Sequence, residues 1–294
     1  MDKKYYNKSS FNRYFEYIAT APSMIFIIVI VVFPTIYLFW ESVRVHNILH
    51  MQNEFNGFAN FITMFTDNDF LRYFSHTAIF TMGTMVIAFF VSLGLAVTLN
   101  RELKFKSLFI AIILLPWTIP PVSTAVLWGW LFNLQYGVVN IILAKLGFEK
   151  IYFFGNTVTA MIILIFADAW VRIPLTVLLL YAGLQRVPQN IIDAARIDGA
   201  NAWQTFWKVT VGFIRPEISM ALIILIMFGW REFSLPYTLT GGGPEDFTEI
   251  FGITLYKQAN LYLRYGKAAS IGVFILILTI FLAYFVFKIR KTEV

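Results

Sequence analysis

No cysteine occurs in the 294 residues, which excludes disulfide staples, thiolate metal ligands and cysteine nucleophiles. Charge is also scarce. Lys, Arg, Asp and Glu make up 14% of the chain and apolar residues 59%, whereas soluble domains run near a quarter and about half. The solvent for most of this chain is therefore lipid. Only three histidines are present, His46, His50 and His76, all in or beside the polar segment 41–76. If that segment were helical, His46 and His50 would share a face as a metal pair; a solvated or interfacial position is expected instead. The chain also lacks a Gly-x-x-x-x-Gly-Lys-Ser/Thr segment, so it has no phosphate-binding loop of its own. No nucleophile with a base and no metal cluster can be found, which argues against an intramembrane enzyme.

What the chain does have is long apolar runs. Crossing about 30 Å of hydrocarbon takes about 20 helical residues, and six stretches are long enough: 18–40, 77–99, 108–132, 157–184, 218–239 and 268–287. Four of the six carry no charge. Lys3, Lys4, Lys8 and Arg13 precede the first run as they would in a secretory signal. That run of 23 residues exceeds the usual signal length, so an uncleaved span is expected.

Lys and Arg in the connecting segments set orientation. With the N-terminus inside, 14 basic residues are cytoplasmic and seven are outside. They include Arg101, Lys104 and Lys106 in one inner connection, Arg186, Arg196, Lys208 and Arg215 in the next, and Lys288, Arg290 and Lys291 at the end. Both termini are thus expected in the cytoplasm. The net charge of +6 is then a topology signal, and nucleic acid is not an expected partner. Two parts are expected: residues 1–70, with the tail, first span and an extracytoplasmic loop, and residues 71–294, a five-helix core.

Prolines at 116, 120, 121, 174 and 236 fall within or near spans, where each removes a helical hydrogen bond; bent helices around a cavity are one explanation. Charges at membrane depth are costly and mark a pathway or an internal pair. Asp168 and Arg172, four apart, share one helix face. Arg231 and Glu232 are adjacent and point about 100° apart, so they cannot both face one wall. Asp168 with Arg172 form a natural internal pair, and Glu232 one with a partner subunit; at least one of the four is expected to line a path. Trp128 and Trp130 are expected in the interfacial belt, while Trp170 is a candidate for stacking on a sugar ring.

The inner connection 185–217 reads as two short helices. Pro188 suits a helix start, 191–197 is helix-compatible, Gly199 permits a turn, and an amphipathic pattern resumes from Trp203. The small residues Ala194, Ala195 and Ala200 let such a helix sit deep in a partner's groove, with Asp193 and Asp198 free to cap or to pair with basic groups.

Asp193-Ala-Ala, followed by Gly199, Val209 and Pro216, resembles the EAA loop of permease subunits of binding-protein-dependent ABC importers. That pattern begins Glu-Ala-Ala and places glycine four positions after the second alanine. The Leu114-Leu-Pro-Trp117 run through Pro120-Pro121, Trp128-Gly-Trp130 and Thr240-Gly-Gly-Gly-Pro244 are similar to the first of the two permease subunits in the carbohydrate branch, which includes the maltose and glycerol-3-phosphate permeases. The likeness covers roughly residues 70–290. Asp193 stands where Glu is common, keeping the charge with a shorter reach. Val211-Gly212 stands where Leu-Pro is usual, which bears on the local helix start.

The resemblance implies an all-α type I ABC importer permease fold with six transmembrane helices, multi-pass in a bacterial or archaeal cytoplasmic membrane. It implies as partners a second homologous permease, two ABC ATPase subunits, an extracytoplasmic solute-binding protein and a carbohydrate substrate. ATP and Mg would be held by the ATPases, and this chain would bind no cofactor and hydrolyse nothing. Asp193, Ala194, Ala195, Arg196, Asp198, Gly199 and Ala200 would couple to the ATPase, within a loop at about 186–217. The substrate path would run past Asp168, Trp170, Arg172, Gly229, Arg231 and Glu232. A neutral oligosaccharide or an anionic sugar fits that set. An ion-coupled secondary transporter using intramembrane carboxylates is the alternative; the absence of visible inverted repeats argues against it.

Overall fold

The computed structural model describes residues 10–291. Lys3, Lys4 and Lys8 lie outside the described residues, as do the side chains of Arg13, Arg290 and Lys291. The chain opens with α1 (Ser10–Ile27), a π-helical turn (Ile28–Val32) and α2 (Phe33–Ser42), continuous as one candidate span over Tyr17–Ser42. The π turn sits just before Pro34, whose ring removes an amide donor, so wider pairing takes up the loss. A hairpin follows, β1 (Arg44–Asn47) antiparallel to β2 (Gln52–Phe55), with Arg44 opposite Phe55 and Asn47 opposite Gln52. Then come α3 (Ala59–Thr66), α4 (Asn68–Leu99), α5 (Lys106–Thr118), α6 (Pro121–Leu131), α7 (Val138–Lys145) and α8 (Thr157–Leu184). The connection after α8 holds α9 (Gln189–Ile197), α10 (Ala202–Gln204), a π turn (Thr205–Thr210) and α11 (Val211–Phe213). Last are α12 (Arg215–Arg231), α13 (Ser234–Thr240), α14 (Phe251–Tyr256) and α15 (Tyr265–Lys291).

Two compact units divide the chain: Met1–Met64 with Gln258–Val273, and Phe65–Lys257 with Phe274–Val294. In the first, buried Asn60 ties the hairpin down by donating to the carbonyls of Ser42 (2.9 Å) and Arg44 (2.8 Å). Ile48 donates its amide to the Leu263 carbonyl (3.2 Å). The hairpin corrects the helical alternative for the histidine pair. His46 lies on β1 with Nδ1 2.8 Å from Glu41 Oε2, and His50 lies in the turn.

In the second unit α8 packs along α4, and α12 against both. Lipid supplies no hydrophobic drive between helices, so close approach and buried hydrogen bonds hold them. Small residues permit that approach. A Cβ on Gly83 would stand 2.8 Å from Ile165 Cδ1, and one on Gly229 2.6 Å from Thr81 Cγ2. Ala88, Ala169 and Leu225 form a buried cluster where α4, α8 and α12 meet. Ser92 of α4 donates to the Ile173 carbonyl of α8 at 3.1 Å. The long helices begin where side chains satisfy free amides: Asp67 accepts from Asp69 N (2.9 Å), and Asn156 from Val158 N (3.0 Å) and Thr159 N (3.2 Å).

Among the described residues four helices are long and apolar enough to cross a membrane: Tyr17–Ser42, Asn68–Leu99, Thr157–Leu184 and Tyr265–Phe285. Two more stretches are bent pairs, which brings the number to six if each pair is one span. The run at 108–132 breaks into α5 and α6 at 98°. Ile119 is extended there (φ −86°, ψ 126°), because a residue before proline is pushed out of the helical region, and Pro120 itself offers no amide. The run at 218–239 is not one helix either. It stops at Glu232 (φ −67°, ψ 139°) and restarts as α13, and before it α12 is bent by 74° from the helical stretch Ala202–Phe213. That bend falls at Ile214, just beyond Val211-Gly212. Trp128 departs from the interfacial expectation and packs against the buried cluster of Phe80, Leu164 and Ile165, while Trp130 stays exposed.

Candidate functional site

Two places bring the sequence-predicted residues together. The first lies on α8 and at the α12–α13 break. Arg172 donates from Nε (3.1 Å) and Nη2 (2.8 Å) to Asp168 Oδ1, one turn back on α8. Its Nη2 also pairs with Glu232 Oε2. Glu232 is thereby paired inside its own chain, in place of the partner-subunit pairing expected. The side chains of Asp168, Arg172 and Glu232 are 1%, 14% and 12% exposed, so this is a buried ion triad at membrane depth. Burying a lone charge costs several kcal/mol; here the two carboxylates share the Arg172 guanidinium, while Asp168 Oδ2 is buried with no hydrogen-bond partner among the described residues.

Glu232 also holds the break itself. Its Oε1 accepts from the amide of Phe233 (3.2 Å), just before α13, and from that of Leu235 (3.4 Å), a free donor in the first turn of α13. One carboxylate thus caps a helix with one oxygen and binds Arg172 with the other. Arg231, pointing elsewhere, is exposed. Gly229 is buried against Thr81.

Arg172 is also the charged wall of a cleft of about 210 Å³. Trp117, Ile119 and Pro121 from the α5–α6 break, Thr176 from α8 and Phe228 from α12 line the rest. The guanidinium carbon lies 4.7 Å from the centre of the Phe228 ring. Trp170 is not among the lining residues: it meets Trp128 edge-on at 6.3 Å, within the core of the second unit. The aromatic groups beside the cleft are Trp117 and Phe228, which sequence reasoning missed. A signal for Phe228 was present, since it precedes Glu232 by four residues and so shares its face.

The second place is α9 and the turn after it. Gly199 has φ +86°, and Ala200 N donates to Ala195 O and Gly199 N to Arg196 O, both at 3.0 Å. This is a Schellman closure, which needs a left-handed residue at that point. Asp193 accepts from Gln189 Nε2 (3.0 Å) and pairs with Arg196 (3.5 Å). Asp193, Ala194, Arg196, Asp198 and Gly199 are exposed, with Ala195 and Ala200 half-buried behind them. Apolar groups are exposed too: Ile197 is 86% and Trp203 71% accessible. Asn201 and Gln204 form a reciprocal capping box that starts the next helix. Arg186 and Glu217 pair across the loop's two ends at 2.6 Å. Among the described residues no group of three His, Cys, Asp or Glu could hold a metal ion.

The chain is similar to known proteins along most of its length. Residues 88–291 match the family described as "Binding-protein-dependent transport system inner membrane component". A trehalose/maltose transport system permease protein, MalF, of Thermococcus litoralis is 30% identical over 91% of each chain. An sn-glycerol-3-phosphate transport system permease protein, UgpA, of Rhizobium meliloti is 28% identical, covering 96% of this chain and 97% of that protein. Among solved structures, a chain of a bacterial alginate ABC transporter in complex with an alginate pentasaccharide-bound periplasmic protein superposes with a TM-score of 0.82 at 21% identity. It covers 95% of this chain and 96% of its own.

Proposed function

From the premise that the chain belongs to the family of binding-protein-dependent transport system inner membrane components, we propose that it is the membrane-spanning subunit of an ATP-driven carbohydrate importer. In this reading α9, with its Schellman turn at Gly199, seats in the groove of an ABC ATPase that binds ATP and Mg. A second homologous permease completes the membrane pore, and a solute-binding protein delivers the sugar from outside. The N- and C-termini and the 186–217 loop face the cytoplasm.

The observation that carries the reading is the exposed, self-capped α9 unit. An isolated surface helix has little reason to present Ile197 and Trp203 to water, and two large apolar groups left exposed within one short loop fit an interaction surface. The turn is closed by two backbone hydrogen bonds, and the loop joins α8 directly to α12, so force applied at α9 reaches the helices that carry the ion triad and the cleft.

The cleft favours a neutral, hydroxyl-rich solute over an anionic sugar. Its one charged lining residue, Arg172, is already bound to two carboxylates, leaving no free cation for a phosphate or carboxylate. Trp117 and Phe228 supply apolar faces of the kind that pack on sugar rings, with Thr176 nearby as a polar contact.

The test is reconstitution with the companion ATPase, second permease and binding protein. Sugar uptake is expected to require ATP, and Trp117→Ala and Phe228→Ala are each expected to lower uptake about tenfold while the ATPase stays bound. Uptake by this chain without an ATPase would overturn the importer reading. Full uptake by both aromatic variants would remove the cleft from the path.

A further inference from the structure

A second pocket, unconnected with the ion triad, lies entirely within the first compact unit. It has a volume of about 420 Å³ and is walled by the β1–β2 hairpin, α3 and the chain around the start of α15. Its charged lining is of one sign: Arg44, Arg264 and Lys267, with His46 and His50 beside them, and no carboxylate among the described residues that line it. Only Val45 and Ala59 are apolar there; the rest of the wall is Asn, Gln and Thr.

Little on the chain balances these charges. Glu41 is committed to His46 at 2.8 Å. Glu54 lies opposite Val45 on the hairpin and is exposed. Arg44 uses Nη2 on the Asn53 carbonyl (3.2 Å) and lies over the Trp40 ring at 5.3 Å, but its Nε is buried without a hydrogen-bond partner. Arg264 and Lys267 form no ion pair among the described residues, and both are exposed.

Three like charges around one cavity repel each other, and an anion placed between them relieves that repulsion with charge-assisted hydrogen bonds. The wall also selects what kind of anion. Val45 and Ala59 are short side chains and give no continuous apolar wall of the length an acyl chain needs, and no Phe, Tyr or Trp lines the pocket to stack on a sugar ring. What fits is a compact, hydrated anionic group.

We propose that the Arg44–Arg264–Lys267 pocket receives a carboxylate side chain from the surface of the solute-binding protein. The inference rests on the importer reading and on the positive-inside expectation, which places the hairpin on the outer face. The family is described as binding-protein-dependent, and the protein that docks from that side is the occupant committed to here. A paired rim charge of this kind governs encounter and its salt dependence more than the turnover that follows.

The experiment uses the complete transporter in phosphatidylcholine nanodiscs, reading ATP hydrolysis against binding-protein concentration. For Arg264→Glu with Lys267→Glu at low salt, the half-maximal concentration is expected to rise about tenfold, with basal and maximal rates unchanged. The gap is expected to close at high salt as screening shortens the reach of the charges. Lys267→Gln alone, which disturbs least, is expected to give a smaller shift of the same kind and decides the matter if the double variant fails to assemble. An unchanged half-maximal concentration overturns the proposal, as does a shift that salt does not diminish. A shift seen only when anionic lipid is added overturns it in favour of a headgroup. A response to inorganic phosphate without change in docking overturns it in favour of a free anion. If the unsubstituted complex shows no stimulation by binding protein at all, the importer reading itself fails.

Discussion

Arg172 and Glu232 are 60 positions apart in sequence and form an ion pair across the contact of α8 with the end of α12. The pair locks a continuous helix, α8, to the break in a discontinuous one, because the same carboxylate that holds Arg172 caps α13. Asp168 completes the set from the turn below.

Removing one member of this triad is expected to cost more than removing its charges together. Arg172→Met leaves two buried carboxylates without their cation, a loss of about 3–5 kcal/mol. The triple change Asp168→Asn, Arg172→Met, Glu232→Gln is expected to recover most of that. Thermal unfolding of the purified complex, followed by size exclusion, measures both; equal losses in the two proteins would contradict the buried triad.

At Gly199 the left-handed backbone sets the expectation. A β-branched residue there costs about 1–2 kcal/mol of local strain and opens the Schellman closure, whereas Asn tolerates the conformation. Gly199→Val is therefore expected to lose most binding-protein-stimulated ATP hydrolysis and Gly199→Asn to keep most of it. Similar rates for the two variants would separate coupling from the turn.

Gly229 tests the close approach of α12 to α4. A methyl group there would lie 2.6 Å from Thr81 Cγ2 and 2.8 Å from Thr81 Oγ1, so Gly229→Ala is expected to destabilise by about 1–3 kcal/mol through overpacking. Thr81→Ala in the same chain removes both atoms and is expected to restore part of the loss. Melting temperatures of the three variants check it, and no recovery in the double variant would argue against this contact.

The Arg186–Glu217 pair is the counter-example. It is short at 2.6 Å, but Arg186 is 77% exposed, and exposed pairs contribute about 0–1 kcal/mol. Arg186→Gln is expected to leave the melting temperature nearly unchanged. A large drop would show that the loop ends are held far more firmly than exposure suggests.

Much of the architecture was legible because lipid enforces simple rules. Runs such as 157–184 had to be helices, since backbone groups in hydrocarbon have no other partner, and the proline pair at 120–121 marked where such a run breaks. The break at Glu232 was less visible, because no proline or glycine stands there and a side-chain cap makes it. The β1–β2 hairpin escaped the helical reading because two four-residue strands in a polar connection leave only a faint alternation. Phe228 was legible by its spacing from Glu232; Trp117 was not, because the chain turns by 98° just after it.

The sequence by itself determined that this is a helical membrane protein of up to six spans. It also supplied the Asp193–Ala200 segment with its glycine turn, because hydrophobic length and local backbone preference act within short stretches of chain. Only the tertiary structure decided that Arg172 serves both Asp168 and Glu232, that Trp117 and Phe228 line the cleft while Trp170 packs in the core, and that Arg44 shares a pocket with Arg264 and Lys267. Apart from Asp168 with Arg172, one turn apart on α8 and already expected from their spacing, those pairings join residues tens to hundreds of positions apart. Which of two neighbouring charges turns inward depends on the packing of other helices, and no local pattern encodes it.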